Sequence, residues 1–183
     1  MNIINAQNLE LWYGENKALK DISISIPEKS ITAFIGPSGC GKSTFLKILS
    51  GEQDTTTGEV VIGKDERISF LRQDHYQYDD KRVIDVVIMG NTKLYSIIEE
   101  KNALYSQTEF TDDDYMKMAN LEAEFGELDG WNAEADAAQL LSNLGIEIEH
   151  HYMTMGELPV KERVKVLLAQ ALFGDPDILL LDE

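Results

Sequence analysis

Residues 31–44 read Ile31-Thr32-Ala33-Phe34-Ile35-Gly36-Pro37-Ser38-Gly39-Cys40-Gly41-Lys42-Ser43-Thr44. The first five are apolar or β-branched without a polar break, which predicts a strand covered on both faces. Directly after them come Gly, four residues, Gly, Lys, then Ser and Thr, a pattern in which consecutive backbone N–H groups turn inward around a phosphate. From Thr44 the apolar spacing of Phe45, Leu46, Ile48 and Leu49 predicts a helix, whose N-terminal amides and dipole favour an anion. Lys42 adds a point charge, and the Ser43 hydroxyl is placed to ligate Mg²⁺. Strand, glycine loop and helix in this order predict an α/β fold built to hold a nucleotide polyphosphate. Gly36, Pro37, Ser38, Gly39, Cys40, Gly41, Lys42, Ser43 and Thr44 form the binding loop, with Cys40 read as a small structural side chain.

Outward from this stretch, the N-terminal third reads as β. Strands are expected over 3–11, over 19–26 where apolar and polar residues alternate before Pro27, over 58–63 and over 67–71. After Val83 helical spacing takes over in three segments: 94–105, 115–125 and 133–144, punctuated by Gly126, Gly130 and Gly145. A further helix through Val164, Leu167, Leu168, Ala171 and Leu172 stops at Gly174. The chain then reads Ile178-Leu179-Leu180-Leu181-Asp182-Glu183, a buried strand with carboxylates at its end, suited to Mg²⁺ and to a general base. The expected organisation is one domain: a β-rich, loop-bearing core over 1–82, a helical subdomain over 83–157, and a helix-and-strand segment over 158–183.

Composition narrows the partners. The 183 residues carry 16 Lys and Arg against 33 Asp and Glu, a net charge of −17. Such a field repels nucleic-acid backbones, so any bound polyphosphate needs a local device. The same imbalance is concentrated between residues 91 and 130, where three lysines face ten acids. One cysteine excludes a disulfide framework. No apolar run is long enough to span a bilayer and no signal peptide opens the chain, so a cytoplasmic protein without direct membrane insertion is expected.

These motifs, with their order and spacing, resemble an ATP-binding cassette (ABC) nucleotide-binding domain, a P-loop NTPase with an antiparallel β subdomain and a helical subdomain. Residues 1–44, through LWYGENKALKDISISIP (11–27) and ITAFIGPSGCGKST (31–44), are most similar to ATPase subunits of phosphate-import ABC transporters. From about residue 45 the chain resembles instead the ABC-F class, which acts on ribosomes. The segments carrying this are FLKILSGE (45–52), TTGEVVIG (56–63), VVIMGNTKLY (86–95), LEAEFGELDGWNAEADAAQLLSNLGI (121–146) and VKVLLAQALFGDPDILLLDE (164–183).

The resemblance implies ATP and Mg²⁺ as ligands and ATP hydrolysis as the activity. Tyr13 matches the aromatic that stacks on adenine, with Trp12 as its neighbour on a strand that can turn only one of them to the ligand. Gln73 matches the glutamine that reaches Mg²⁺ and the attacking water, Asp182 the Walker B aspartate and Glu183 the catalytic glutamate. Catalysis is thus expected from Glu183, Gln73 and Lys42, and metal binding from Ser43, Gln73 and Asp182. The signature Leu-Ser-Gly-Gly-Gln is replaced by Leu158-Pro159-Val160-Lys161-Glu162, which lacks both glycines. The resemblance further implies a domain continuing past Glu183, a C-terminally incomplete cassette that turns ATP over poorly alone. A second cassette is the expected partner, together with the ribosome for an ABC-F protein or membrane permease subunits for an importer. A non-catalytic nucleotide-binding module is the remaining alternative. His75, His150 and His151 are expected at the surface.

Overall fold

The computed structural model describes residues 2–63, 66–71 and 76–182. Gln73, His75 and Glu183, each assigned a role or a place from the sequence, lie outside the described residues. The chain forms two compact units, one from residues up to 70 together with those from 176, the other from residues 71–175.

In the first unit, β1 (Asn2–Tyr13), β2 (Asn16–Pro27) and β3 (Thr57–Ile62) form an antiparallel sheet in the order β2-β1-β3. Ile4 stands opposite Ile26 on one side and Ile62 on the other, and Ala6 opposite Ile24 and Val60. The period of two slips between Ala6 and Leu9, where the register shifts and Asn8 adopts φ 49°. That bulge returns Leu9 and Leu11 to the buried face beside Ile4 and Ala6. Helix α1 (Lys42–Leu49) buries Phe45, Leu46, Ile48 and Leu49 in the same core. It starts two residues before the apolar spacing suggests, because Lys42 and Ser43 already belong to its first turn. β4 (Ile68–Leu71) pairs with β5 (Ile178–Leu181), whose Ile178 and Leu180 are buried.

The expected doubly covered strand at 31–35 is not formed. These residues join neither sheet, and Ile31 and Ile35 are fully exposed, at 102% and 95%. Only Phe34 is half-buried, its ring edge-on to Phe45 at 5.2 Å. Apolar, β-branched composition predicted burial, but no strand among the described residues pairs with this run.

The second unit is helical. α2 (Val83–Ile88) is its centre, with Val83, Ile84, Val86 and Val87 at 0% exposure, and it packs against α3 (Thr92–Tyr105), α5 (Ala133–Asn143) and α6 (Val160–Leu172). α4 (Asp112–Glu127) completes a hairpin with α3. The one polar side chain of α2, Asp85, accepts two hydrogen bonds from Arg82, each 2.8 Å, which hold the guanidinium above its ordinary pKa. α5 ends in a Schellman arrangement: the Gly145 amide donates to Ser142 and that of Ile146 to Leu141, at 3.0 Å each. Gly145 permits it by adopting φ 71°. His151 corrects the surface expectation. It is 1% exposed, with Nε2 3.2 Å from the Ile146 carbonyl, while its own carbonyl accepts the Ile84 amide at the start of α2. His150 is half-buried and paired to Glu162 at 2.7 Å. Among the described residues no helix is long and apolar enough to cross a membrane.

Candidate nucleotide-binding site

Gly41 fixes the end of the loop. Its φ of 96° is open to glycine, and a Cβ there would stand 2.8 Å from Leu19 Cδ2 and 3.2 Å from the Ala18 carbonyl. The residue is thus the N-cap of α1, and no side chain caps the amides behind it. No acidic residue occupies the first turn either, so those amides are offered without a competing carboxylate. Lys42 Nζ folds back over the loop, donating to the Gly36 carbonyl at 2.7 Å and the Pro37 carbonyl at 3.1 Å, with Cys40 Sγ at 3.6 Å. The ammonium therefore sits among the loop backbone groups.

Ser43 Oγ donates to Asp182 Oδ1 at 2.9 Å across 139 positions of sequence. A hydroxyl and a carboxylate, both hard oxygens, thereby converge beside Lys42. No group of three or more His, Cys, Asp or Glu among the described residues could hold a metal. The pair suits instead a cation such as Mg²⁺, which is held through one or two protein oxygens while phosphates and water complete the shell. Donor set, glycine cradle and uncapped helix start all fit a Mg-nucleotide.

The loop faces an open cavity of about 1640 Å³ within the first unit, lined also by Tyr13, the exposed 31–35 run and β5. Tyr13 and Trp12 are both exposed, at 52% and 42%. Trp12 instead carries Lys17 Nζ 5.2 Å from its ring centroid. The structure therefore brings together Tyr13, the loop residues 36–44 and Asp182.

The divergent signature lies in the second unit. Leu158 is buried, Pro159 is the N-cap of α6, and Val160 is exposed. Sequence reading missed the residue that organises this stretch. Arg163, 9% exposed, donates from Nε to the Leu158 carbonyl (2.9 Å), from Nη2 to that of Gly156 (2.7 Å) and from Nη1 to Asp79 (2.9 Å). An arginine between Val160, Val164, Val166 and Leu167 was the available signal, since a charge on an apolar helix face needs partners.

A glycine cradle, an ammonium and a serine–aspartate pair on an α/β scaffold fit a nucleotide-binding domain. The ABC transporter family model matches residues 19–183, and the chain belongs to that family. It is 46% identical over 181 residues to the Bacillus subtilis ABC transporter ATP-binding protein YkpA, covering 99% of this chain and 34% of that protein. It is 42% identical over 178 residues to the probable ATP-binding protein YbiT of Escherichia coli O157:H7, again 34% of that protein. The chain thus spans about a third of the length of these relatives. Likeness to the phosphate import ATP-binding protein PstB of Staphylococcus saprophyticus, at 42%, is confined to 83 residues, 45% of this chain and 27% of that protein. Solved structures share the fold: a nucleotide-free ATP-binding cassette from an ABC transporter (TM-score 0.67, 22% identity, all of this chain and 69% of that one). A dimeric ATP-binding cassette bound to ADP and phosphate matches at TM-score 0.67 and 21% identity, over 98% of this chain and 73% of that one.

Proposed function

We propose that this chain is the ATP-binding part of a Mg-dependent ATPase of the ABC transporter type, working with a second cassette and with membrane permease subunits on the cytoplasmic side. The observation carrying this reading is the Ser43–Asp182 pair at 2.9 Å beside the Lys42-bearing loop. Lys42 and the loop amides hold the β and γ phosphates, and Ser43 with Asp182 supplies oxygens to Mg²⁺, which neutralises charge on the transferring phosphoryl group. Tyr13 offers a ring face to adenine. Gln73 and Glu183 take the roles of water-positioning residue and general base through their match to the family pattern. The site is opposed by a net charge of −17, so affinity is concentrated in these few groups.

The ABC-F reading is a second proposal, supported by the resemblance of residues 45–183 to that class. The relatives YkpA and PstB are named for ATP binding in transport or import, and YbiT for ATP binding alone. The acid excess between residues 91 and 130 also makes a poor RNA surface. Copurification of the full-length protein with a permease or with ribosomes separates the two.

Calorimetry with Mg-ATP tests the site itself. Lys42→Ala is expected to weaken binding about 100-fold, the loss of one or two charge-assisted contacts, while leaving the melting transition in place. A folded chain that takes up no Mg-ATP, and is indifferent to the substitution, overturns the reading. Glu183→Gln is expected to trap ATP in the two-cassette assembly; an unchanged complex would instead mark a passive binding module.

A further inference from the structure

The α3–α4 hairpin carries exposed apolar side chains at its turn: Tyr105 (52%), Phe110 (36%), Tyr115 (59%) and Met116 (62%). Phe110 and Tyr115 lie against each other tilted by 45°, with centroids 5.9 Å apart. Tyr105 is held upright by donating to Glu122 at 2.7 Å, and Glu122 accepts Lys101 at 2.9 Å. Lys101 in turn lies 3.8 Å from the Phe125 centroid and 5.0 Å from that of Trp131, which is 70% exposed. Lys101 and Glu122 thus link Tyr105, Phe125 and Trp131 in one ionic ladder against the C-terminal half of α4, well along the helix from Phe110 and Tyr115.

That ladder also consumes positive charge. Lys101 is committed to Glu122, and Lys117 to Glu100 at 3.0 Å. Of the three lysines between residues 91 and 130, only Lys93, in the first turn of α3 and far along the helix from the turn, has no ion pair in this hairpin. Glu109, Asp112 and Asp113 are exposed and lie beside Phe110 and Tyr115 in sequence.

We propose that the turn of the α3–α4 hairpin docks a Lys/Arg-rich segment of a partner protein. Ring faces attract ammonium and guanidinium groups, and the acids around them steer and orient a cationic chain. The same charge repels RNA, an anionic lipid surface and a second copy of this −17 chain. This inference goes beyond the ATPase reading and does not depend on it, because every residue involved belongs to the helical unit.

Fluorescence anisotropy with the full chain and a labelled Lys/Arg-rich peptide is the test. Binding should weaken steeply with salt, and Phe110→Ser with Tyr115→Ser should reduce affinity about tenfold without changing net charge. Glu15→Gln, Glu28→Gln and Glu59→Gln together, removing three charges from the other unit, should change it by less than about twofold. Where the double aromatic variant fails to fold, Glu109→Gln with Asp113→Asn should weaken binding about fivefold and flatten the salt dependence. Equal losses in the hairpin and control variants, or tighter binding of a single-stranded RNA of matched length, each overturns the proposal.

Discussion

The two units solve different problems with the same polypeptide. In the first, the proposed function rests on a few residues: a loop whose shape depends on Gly41, an ammonium over that loop, and one long-range hydroxyl–carboxylate contact. Its packing is less complete, since Ile31 and Ile35 stand in solvent beside a large open cavity. In the second unit no motif announces a reaction, yet α2, α3, α4, α5 and α6 close around a continuous apolar core with side chains at or near 0% exposure. Ligand-gripping geometry can be local, whereas stability is distributed over contacts distant in sequence. The two units should therefore respond to mutation differently, the first through affinity and the second through stability.

The sharpest way to break that contrast is a cavity in the helical unit. Leu141 on α5 is fully buried in the core around α2. Leu141→Ala is expected to cost about 2–5 kcal/mol in chemical denaturation, the range for a buried leucine truncated to alanine. Nucleotide affinity of the remaining folded protein should be unchanged within about twofold, because the phosphate loop lies wholly in the other unit. A loss of Mg-ATP affinity exceeding the loss of folded protein would show the units to be coupled, and the contrast would fail.

Arg163 gives a smaller test of the same idea with a polar group. Its guanidinium satisfies two carbonyls and Asp79 while 9% exposed, so removing it orphans acceptors near the start of α6. Arg163→Met is expected to destabilise by about 2 kcal/mol. Arg163→Lys should recover less than half of this, since an ammonium cannot reproduce the forked geometry that reaches Leu158, Gly156 and Asp79 together. Full rescue by lysine, read from denaturation midpoints, would reduce the role to charge alone.

Legibility in the sequence divides along the same line. The phosphate loop, α1 and the 178–181 strand could be read because their signals are local: glycine spacing, helical apolar spacing, and a short apolar run before two acids. Most of α3 to α6 was legible from periodicity. The failures are tertiary. The stretch Val83-Ile84-Asp85-Val86-Val87-Ile88 is β-branched nearly throughout and yields no helical stripe, yet it folds as α2 because burial on every side outweighs its modest helix propensity. The run at 31–35 shows the reverse, with strand composition and no neighbour. Burial of His151 and the convergence of Arg163 on two carbonyls depend on partners that no local pattern encodes. In the candidate site, the loop and Asp182 were proposed from motif and order, and the structure places Ser43 and Asp182 in contact, while Gln73 and Glu183 lie outside the described residues and rest on resemblance.

The gentlest test concerns a helix end, where local and distributed effects meet. Thr111 caps α4 in a reciprocal box: its hydroxyl accepts the Asp114 amide, and the Asp114 carboxylate accepts from both the Thr111 amide at 2.8 Å and the hydroxyl at 2.7 Å. These bonds, the backbone one foremost, hold the Asp114 carboxyl below its ordinary pKa. A carboxylate so depressed binds protons less readily folded than unfolded. Its contribution is therefore fully present above the ordinary carboxylate value and is lost as the pH falls through the lower, folded one. Thr111→Ala is expected to cost about 1 kcal/mol at neutral pH, the usual value of an N-cap. Because the Thr111 amide survives the substitution, Asp114 should titrate higher than in the parent yet still below an unperturbed aspartate, as carbon-detected NMR titration would read. An unshifted Asp114 in the variant would assign the whole depression to the backbone donor. A return to the ordinary value would show instead that the hydroxyl organises the box, and that the amide bond forms only when the hydroxyl holds the carboxylate in place.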